Sequence, residues 1–131
     1  MTLQYNYNET YDGSDCDNPD KGANECIDPA MVRIPRHYFT SSINHNMGKN
    51  LENSLLIRYR GETRDYGNTN NGFADVILDD NITFDYVGSY NLYDTYNLFF
   101  SVKNIFDQNY EQAYQYSTMG RAFNFGIRRI Y

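Results

Sequence analysis

Apolar and polar side chains alternate with period two along six stretches of this chain, the spacing of β-strands with one apolar and one polar face. Leu3, Tyr5 and Tyr7 oppose Gln4, Asn6 and Asn8. From about His37 to Met47, Phe39, Ile43 and Met47 oppose Tyr38, Thr40, Ser42, Asn44 and Asn46. Leu51 to Gly61 sets Leu55, Ile57 and Tyr59 against Ser54, Arg58 and Arg60. The cleanest alternation runs from Asn81 to Leu92, with Ile82, Phe84, Tyr86, Tyr90 and Leu92 against Asn81, Thr83, Asp85, Ser89 and Asn91. Tyr96, Leu98, Phe100 and Val102 oppose Asn97, Ser101 and Lys103 in the fifth stretch. In the last, Phe123, Phe125, Ile127 and Tyr131 oppose Arg121, Asn124, Gly126 and Arg128. Leu56, Val87 and Phe99 interrupt the polar face. The expected fold is all-β, an antiparallel meander of about six strands. Several stretches reach the ~9–11 residues that a tilted strand needs to cross a bilayer.

The connections alternate as well. Residues 9–35, 62–80 and 107–120 make long links, whereas Gly48-Lys49-Asn50 and Tyr93-Asp94 make short ones. A soluble meander has no reason to gather every long loop at one end. Outer-membrane barrels do so, with short periplasmic turns and long extracellular loops. On that reading the last strand descends from outside the cell and leaves Tyr131 on the periplasmic side.

Composition fits either a membrane barrel or a soluble sheet with one wet face. Aromatics make up 17% of the residues, without a single Trp, and the mean hydropathy is polar. The formal charge of −6 argues against nucleic acid as a partner. No run approaches the ~20 apolar residues of a membrane-spanning helix, and Met1-Thr-Leu-Gln-Tyr5 does not read as a signal peptide. Cys16 and Cys26, the only cysteines, stand ten positions apart in a polar loop. They read as a loop disulfide, which needs an oxidising compartment, or as two free thiols.

No constellation points to catalysis, and an enzyme is not expected. His37 and His45 share a strand with no nucleophile beside them, and no glycine-rich phosphate loop is present. Asp12, Asp15, Asp17, Asp20, Glu25 and Asp28 crowd one loop, but Pro19 and the spacing defeat a calcium-loop pattern. No His accompanies the cysteines for zinc. Neither a metal nor a cofactor is expected.

The end of the chain carries the most specific signal. Asn104-Ile-Phe-Asp-Gln-Asn-Tyr110, then Tyr114-Gln-Tyr116, then Gly120-Arg121 and an aromatic strand ending in Tyr131, resembles the C-terminal end of a TonB-dependent outer-membrane receptor. Arg33-Ile-Pro-Arg-His37 entering a strand and Arg58-Tyr-Arg-Gly61 leaving one resemble the corresponding region of the siderophore and cobalamin receptors. The resemblance implies a Gram-negative outer-membrane barrel of about 22 strands, a plug, and energy-coupled import of an iron chelate, haem or cobalamin. Residues 1–131 would be the C-terminal part of that barrel, without the plug, the TonB-contacting segment and about sixteen strands. Such a piece should not transport alone, and it would meet TonB only through the missing N-terminal part. A soluble or periplasmic β-sheet binding module, or a small barrel closing by oligomerisation, are the rivals.

Roles follow on the same basis. Phe123, Phe125 and Tyr131 would form the signal read by the barrel-assembly machinery, and outer-membrane lipid would be the other partner. Gly120-Arg121 would fix the start of the last strand, with Arg121 toward the lumen. Tyr110, Tyr114 and Tyr116 sit in an external loop and could stack on a ligand or simply pack there. Arg58, Arg60 and Arg64 would line a lumen that draws in an anionic chelate, or form a solvated wall.

Overall fold

The computed structural model describes residues 1–8, 32–69, 72–93 and 95–129. Cys16, Cys26, Tyr131 and the acidic loop lie outside them. Every regular element among the described residues is a strand. Six of the ten form one sheet: β1 (Thr2–Tyr7), β2 (His37–Met47), β3 (Leu51–Arg60), β6 (Asn81–Leu92), β7 (Tyr96–Lys103) and β10 (Ala122–Arg129). They pair antiparallel in the order β1-β2-β3-β6-β7-β10. These are the six alternating stretches of the sequence, with bounds shifted by at most a few residues.

Register puts the two side-chain sets on opposite faces. Tyr5 faces Phe39, and Phe39 faces Tyr59. Tyr59 then faces Ile82, so one apolar row crosses four strands. The neighbouring row, Asn6–Tyr38–Arg60–Asn81, is polar throughout. A one-residue slip would exchange the faces of a whole strand, so the sequence pattern specifies this register strongly.

The burial pattern is inverted relative to a soluble sheet. In β6 the buried side chains include Asn81, Thr83 and Asp85, while Ile82 between them is exposed. On the apolar face Phe123 is 72% exposed and Phe125 77%. Among the described residues Leu78, at 5%, is the one buried large apolar side chain. Water-soluble domains rarely leave so large a contiguous apolar face uncovered. A transmembrane barrel requires it, because lipid covers the outside while polar groups fill the inside.

Two of the long connections carry strands of their own, where the sequence suggested only loops. Between β3 and β6 lies the hairpin β4 (Thr63–Thr69) with β5 (Gly72–Leu78). Between β7 and β10 lies the small hairpin β8 (Glu111–Ala113) with β9 (Tyr116–Ser117). Both sit at the same end of the main sheet, opposite the short β2–β3 and β6–β7 turns.

Phe99 and Val87 stay on the polar face, and Phe99 has a structural reason to be there. It stands across from Gly126, so close that a methyl group on the glycine would fall 2.2 Å from the ring. The ring covers backbone that a glycine leaves bare, a known device for restoring contact at a strand glycine. The Arg128 guanidinium lies over the same ring at 6.0 Å. On the opposite face Phe100 covers Gly88 in the same way.

Candidate functional site

The loop end of the polar face is built around three buried or half-buried acceptors. The first is the Asn104 turn that leaves β7. Asn104 adopts a left-handed backbone (φ 51°), which asparagine tolerates better than most residues. Its side chain accepts from the Gln108 amide (3.0 Å) and donates to the Gln108 carbonyl (2.9 Å). Gln108 in turn accepts from the Ile82 amide (3.0 Å), and the Ile105 amide donates to the Phe84 carbonyl (2.8 Å). These bonds fold the Asn104–Tyr110 stretch back onto β6.

Asp85 is the second acceptor. One carboxylate oxygen accepts the Asn104 amide (2.9 Å) and the other accepts Arg58. Arg58 therefore lies on the polar face, as its parity requires, but its charge is already met by Asp85.

Asp65 is the third, and the most enclosed, at 1% exposure. It accepts the amides of Tyr66 and Tyr114, each at 2.8 Å, and Arg33 Nε at 3.0 Å. Burial alone would raise its pKa. The two backbone donors and the Arg33 charge outweigh burial and hold the carboxyl below its ordinary range. One carboxylate thus ties together the segment before β2, the hairpin β4–β5 and the hairpin β8–β9. Gly67 completes the joint: the Tyr114 ring lies where a Cβ would meet it at 2.0 Å.

The hairpin β8–β9 consequently lies against the polar face and divides it into clefts. A cleft of about 560 Å³ runs between Arg58, Asp85 and Lys103 on the sheet and Tyr110 and Tyr116 on the hairpin side. A second, of about 530 Å³, lies on the other side of Gln112, bordered by Arg33, Tyr38 and Arg60. Tyr114 is turned away from both and borders a smaller cleft with Tyr110 and Leu78. Of the three loop tyrosines singled out from sequence, Tyr110 and Tyr116 therefore share one cleft with Arg58, while Tyr114 packs on β4. Arg64 is paired with Asp75 and stacked on Tyr66 (5.1 Å).

Gly120 and Arg121 stand just ahead of β10. Asp107 accepts the Arg121 amide at 2.7 Å, and its second oxygen lies 3.7 Å from the Arg121 guanidinium. A Cβ on Gly120 would come within 2.8 Å of the same carboxylate. The Gly-Arg pair is in this way fastened to the turn that leaves β7. Asp107→Ala is expected to cost about 1 kcal/mol and to raise amide exchange selectively at Arg121 and Ala122. Unchanged exchange there would show that the contact does not fix the strand start. Phe123 and Phe125 project from β10 on the apolar face, opposite Val102 and Phe100.

No protein-family profile and no curated protein matches the chain. Solved structures do. The ferripyoverdine receptor of the outer membrane of Pseudomonas aeruginosa, bound to ferripyoverdine, aligns with a TM-score of 0.66 and 14% identity over 76% of this chain and 15% of its own. FpvAI in complex with pyocin S2 aligns at 0.65 and 15% identity, over 73% of this chain and 14% of its own. The FrpB iron transporter from Neisseria meningitidis aligns at 0.58 and 20% identity, over 70% of this chain and 16% of its own. The chain thus spans about one-seventh of the length of these structures. At such identities the likeness concerns the fold alone: the six-stranded sheet is folded like a segment of these receptor and transporter structures.

Proposed function

We propose that this chain forms the C-terminal part of the barrel wall of an outer-membrane receptor that takes up a scarce ligand of the iron-siderophore, haem or cobalamin class. The observation that carries this reading is the inverted burial, with Asn81, Thr83 and Asp85 covered while Ile82, Phe123 and Phe125 are exposed. The gathering of both extra hairpins at one end supports an orientation with that end outside the cell. The likeness to outer-membrane receptors supports it further.

Within such a receptor the polar face lines the lumen, and the Asp65 cluster braces the extracellular mouth. Phe123, Phe125 and Tyr131 form the terminal signal for the barrel-assembly machinery, and the apolar face meets lipid. β1 and β10 pair on one side only among the described residues, and unpaired edges are not tolerated in a bilayer. The remaining wall, the plug and the TonB contact belong to other parts of a longer protein, and the chain does not transport alone.

The test is detergent dependence. The isolated chain is expected to aggregate in buffer and to become monomeric and sheet-rich in micelles, with the exposed phenylalanines in contact with detergent. A monomer in plain buffer with protected tyrosines would instead support a soluble binding module.

A further inference from the structure

Four arginines at the loop end have a carboxylate partner: Arg33 with Asp65, Arg58 with Asp85, Arg64 with Asp75 and Arg121 with Asp107. Arg60 stands beside them, and no carboxylate of the described residues is paired with it. Both of its terminal nitrogens share a single backbone acceptor, the Gln112 carbonyl, at the long distances of 3.3 and 3.4 Å. A guanidinium carries five donors in a planar fork and matches a carboxylate with two parallel bonds, so one distant carbonyl leaves most of that capacity unused.

Polar side chains flank Arg60 on both neighbouring strands. Tyr38 stands directly across from it on β2 and Asn81 directly across on β6. Asn81 is 6% exposed, yet its side-chain nitrogen has no partner among the described residues. Arg33 borders the same cleft from the segment ahead of β2. Among the described residues no carboxylate lines the cleft, and Asp65, buried behind, pairs directly with Arg33 and reaches Arg60 only through its longer-range charge. On a chain that is acidic overall, this cleft holds the Arg60 guanidinium beside the Tyr38 hydroxyl.

We propose that the cleft beside Arg60 is a carboxylate-binding site. A ligand carboxylate takes the Arg60 fork from the Gln112 carbonyl and accepts from the Tyr38 hydroxyl alongside. The cleft, at about 530 Å³, is open to one side and has room for a carboxylated group. The assignment narrows the ligand of the proposed receptor to one that presents a free carboxylate, and as a statement about uptake it rests on that reading.

The experiment is a titration of the full chain in detergent micelles, followed by amide chemical shifts of Asn81, Gln112 and Ala113. The probes are succinate, its neutral diamide and inorganic phosphate. Succinate is expected to produce saturable shifts, phosphate to bind at least tenfold more weakly, and the diamide to produce none. In Arg60→Gln the succinate affinity should fall at least tenfold with the remaining amide spectrum unchanged. Arg128→Gln, at the far end of the polar face, should bind as the parent does. Shifts that do not saturate, that survive Arg60→Gln, or that phosphate reproduces at equal affinity would overturn the assignment. A chain that stays monomeric without detergent removes the receptor reading and leaves this titration able to succeed. A membrane-bound chain that ignores succinate removes the carboxylate site alone.

Discussion

Asp65→Ala is expected to free the hairpin β8–β9 from β4 and to destabilise the loop end by about 3 kcal/mol. The reason is that one enclosed carboxylate satisfies two backbone amides and a guanidinium from three separate chain segments. Without it the Tyr66 and Tyr114 amides lose their acceptor in a part-buried joint, and Arg33 loses its counter-charge. Amide exchange should therefore accelerate by a hundredfold or so at Tyr114, and a protease should cut between residues 108 and 120 while the main sheet stays intact. Asp65→Asn should fall between parent and alanine variant, since it keeps one acceptor oxygen. If Tyr114 exchanged at the parental rate in the alanine variant, the joint would have to rest on the Gly67–Tyr114 packing instead. Acid should mimic the substitution. The folded-state pKa of Asp65 lies below its ordinary value, so its contribution is complete above the unfolded value of about 3.9. It is lost as pH falls through the lower, folded value. Loop-end protection should accordingly hold at mildly acidic pH and fail only in stronger acid.

How much of this was legible in the sequence depends on what enforces each element. The six main strands sit between two different environments, one apolar and one polar, and that contrast writes period two into Asn81–Leu92 and the others. Their bounds could be read almost residue by residue. The hairpin β4–β5 has no such contrast. Its β4 residues Thr63, Asp65 and Gly67 turn toward the hairpin β8–β9 and are small or polar, so no apolar period marks them. Its one available signal was turn chemistry at Asn70-Asn71-Gly72, where Gly72 has the positive φ (98°) that glycine favours. Strands of three and two residues, as in β8–β9, leave no period to detect. Asp65 was equally hidden, one carboxylate among many, because its importance comes from residues 33 and 114 meeting it in space. The terminal motif, in contrast, was conspicuous, and Asn104, Asp107 and Gly120-Arg121 prove to be one hydrogen-bonded unit. Arg58 and Arg64 looked like charges for a ligand, whereas Asp85 and Asp75 already engage them. Of the three, Arg60 alone has no carboxylate partner among the described residues.

A lysine at Leu55 should separate the membrane and soluble readings by an effect of about 2–4 kcal/mol. Leu55 lies midway along β3, on the apolar face between Ile43 and Tyr86. Its neighbour Ser54 lies on the polar face between Asn44 and Val87. If lipid covers the apolar face, Leu55→Lys places an ammonium near the bilayer midplane, too deep for its side chain to reach the interface with ease. Ser54→Lys places the same charge on the watered side and should change stability by less than about 1 kcal/mol. Urea unfolding of the two variants in lipid vesicles reads the difference directly. In micelles thinner than a bilayer the gap should narrow, because detergent deforms around a charge more easily than lipid does. Equal costs at both positions would mean that neither face is in lipid. A larger cost at Ser54 would mean that the face now assigned to the lumen is the one buried in protein.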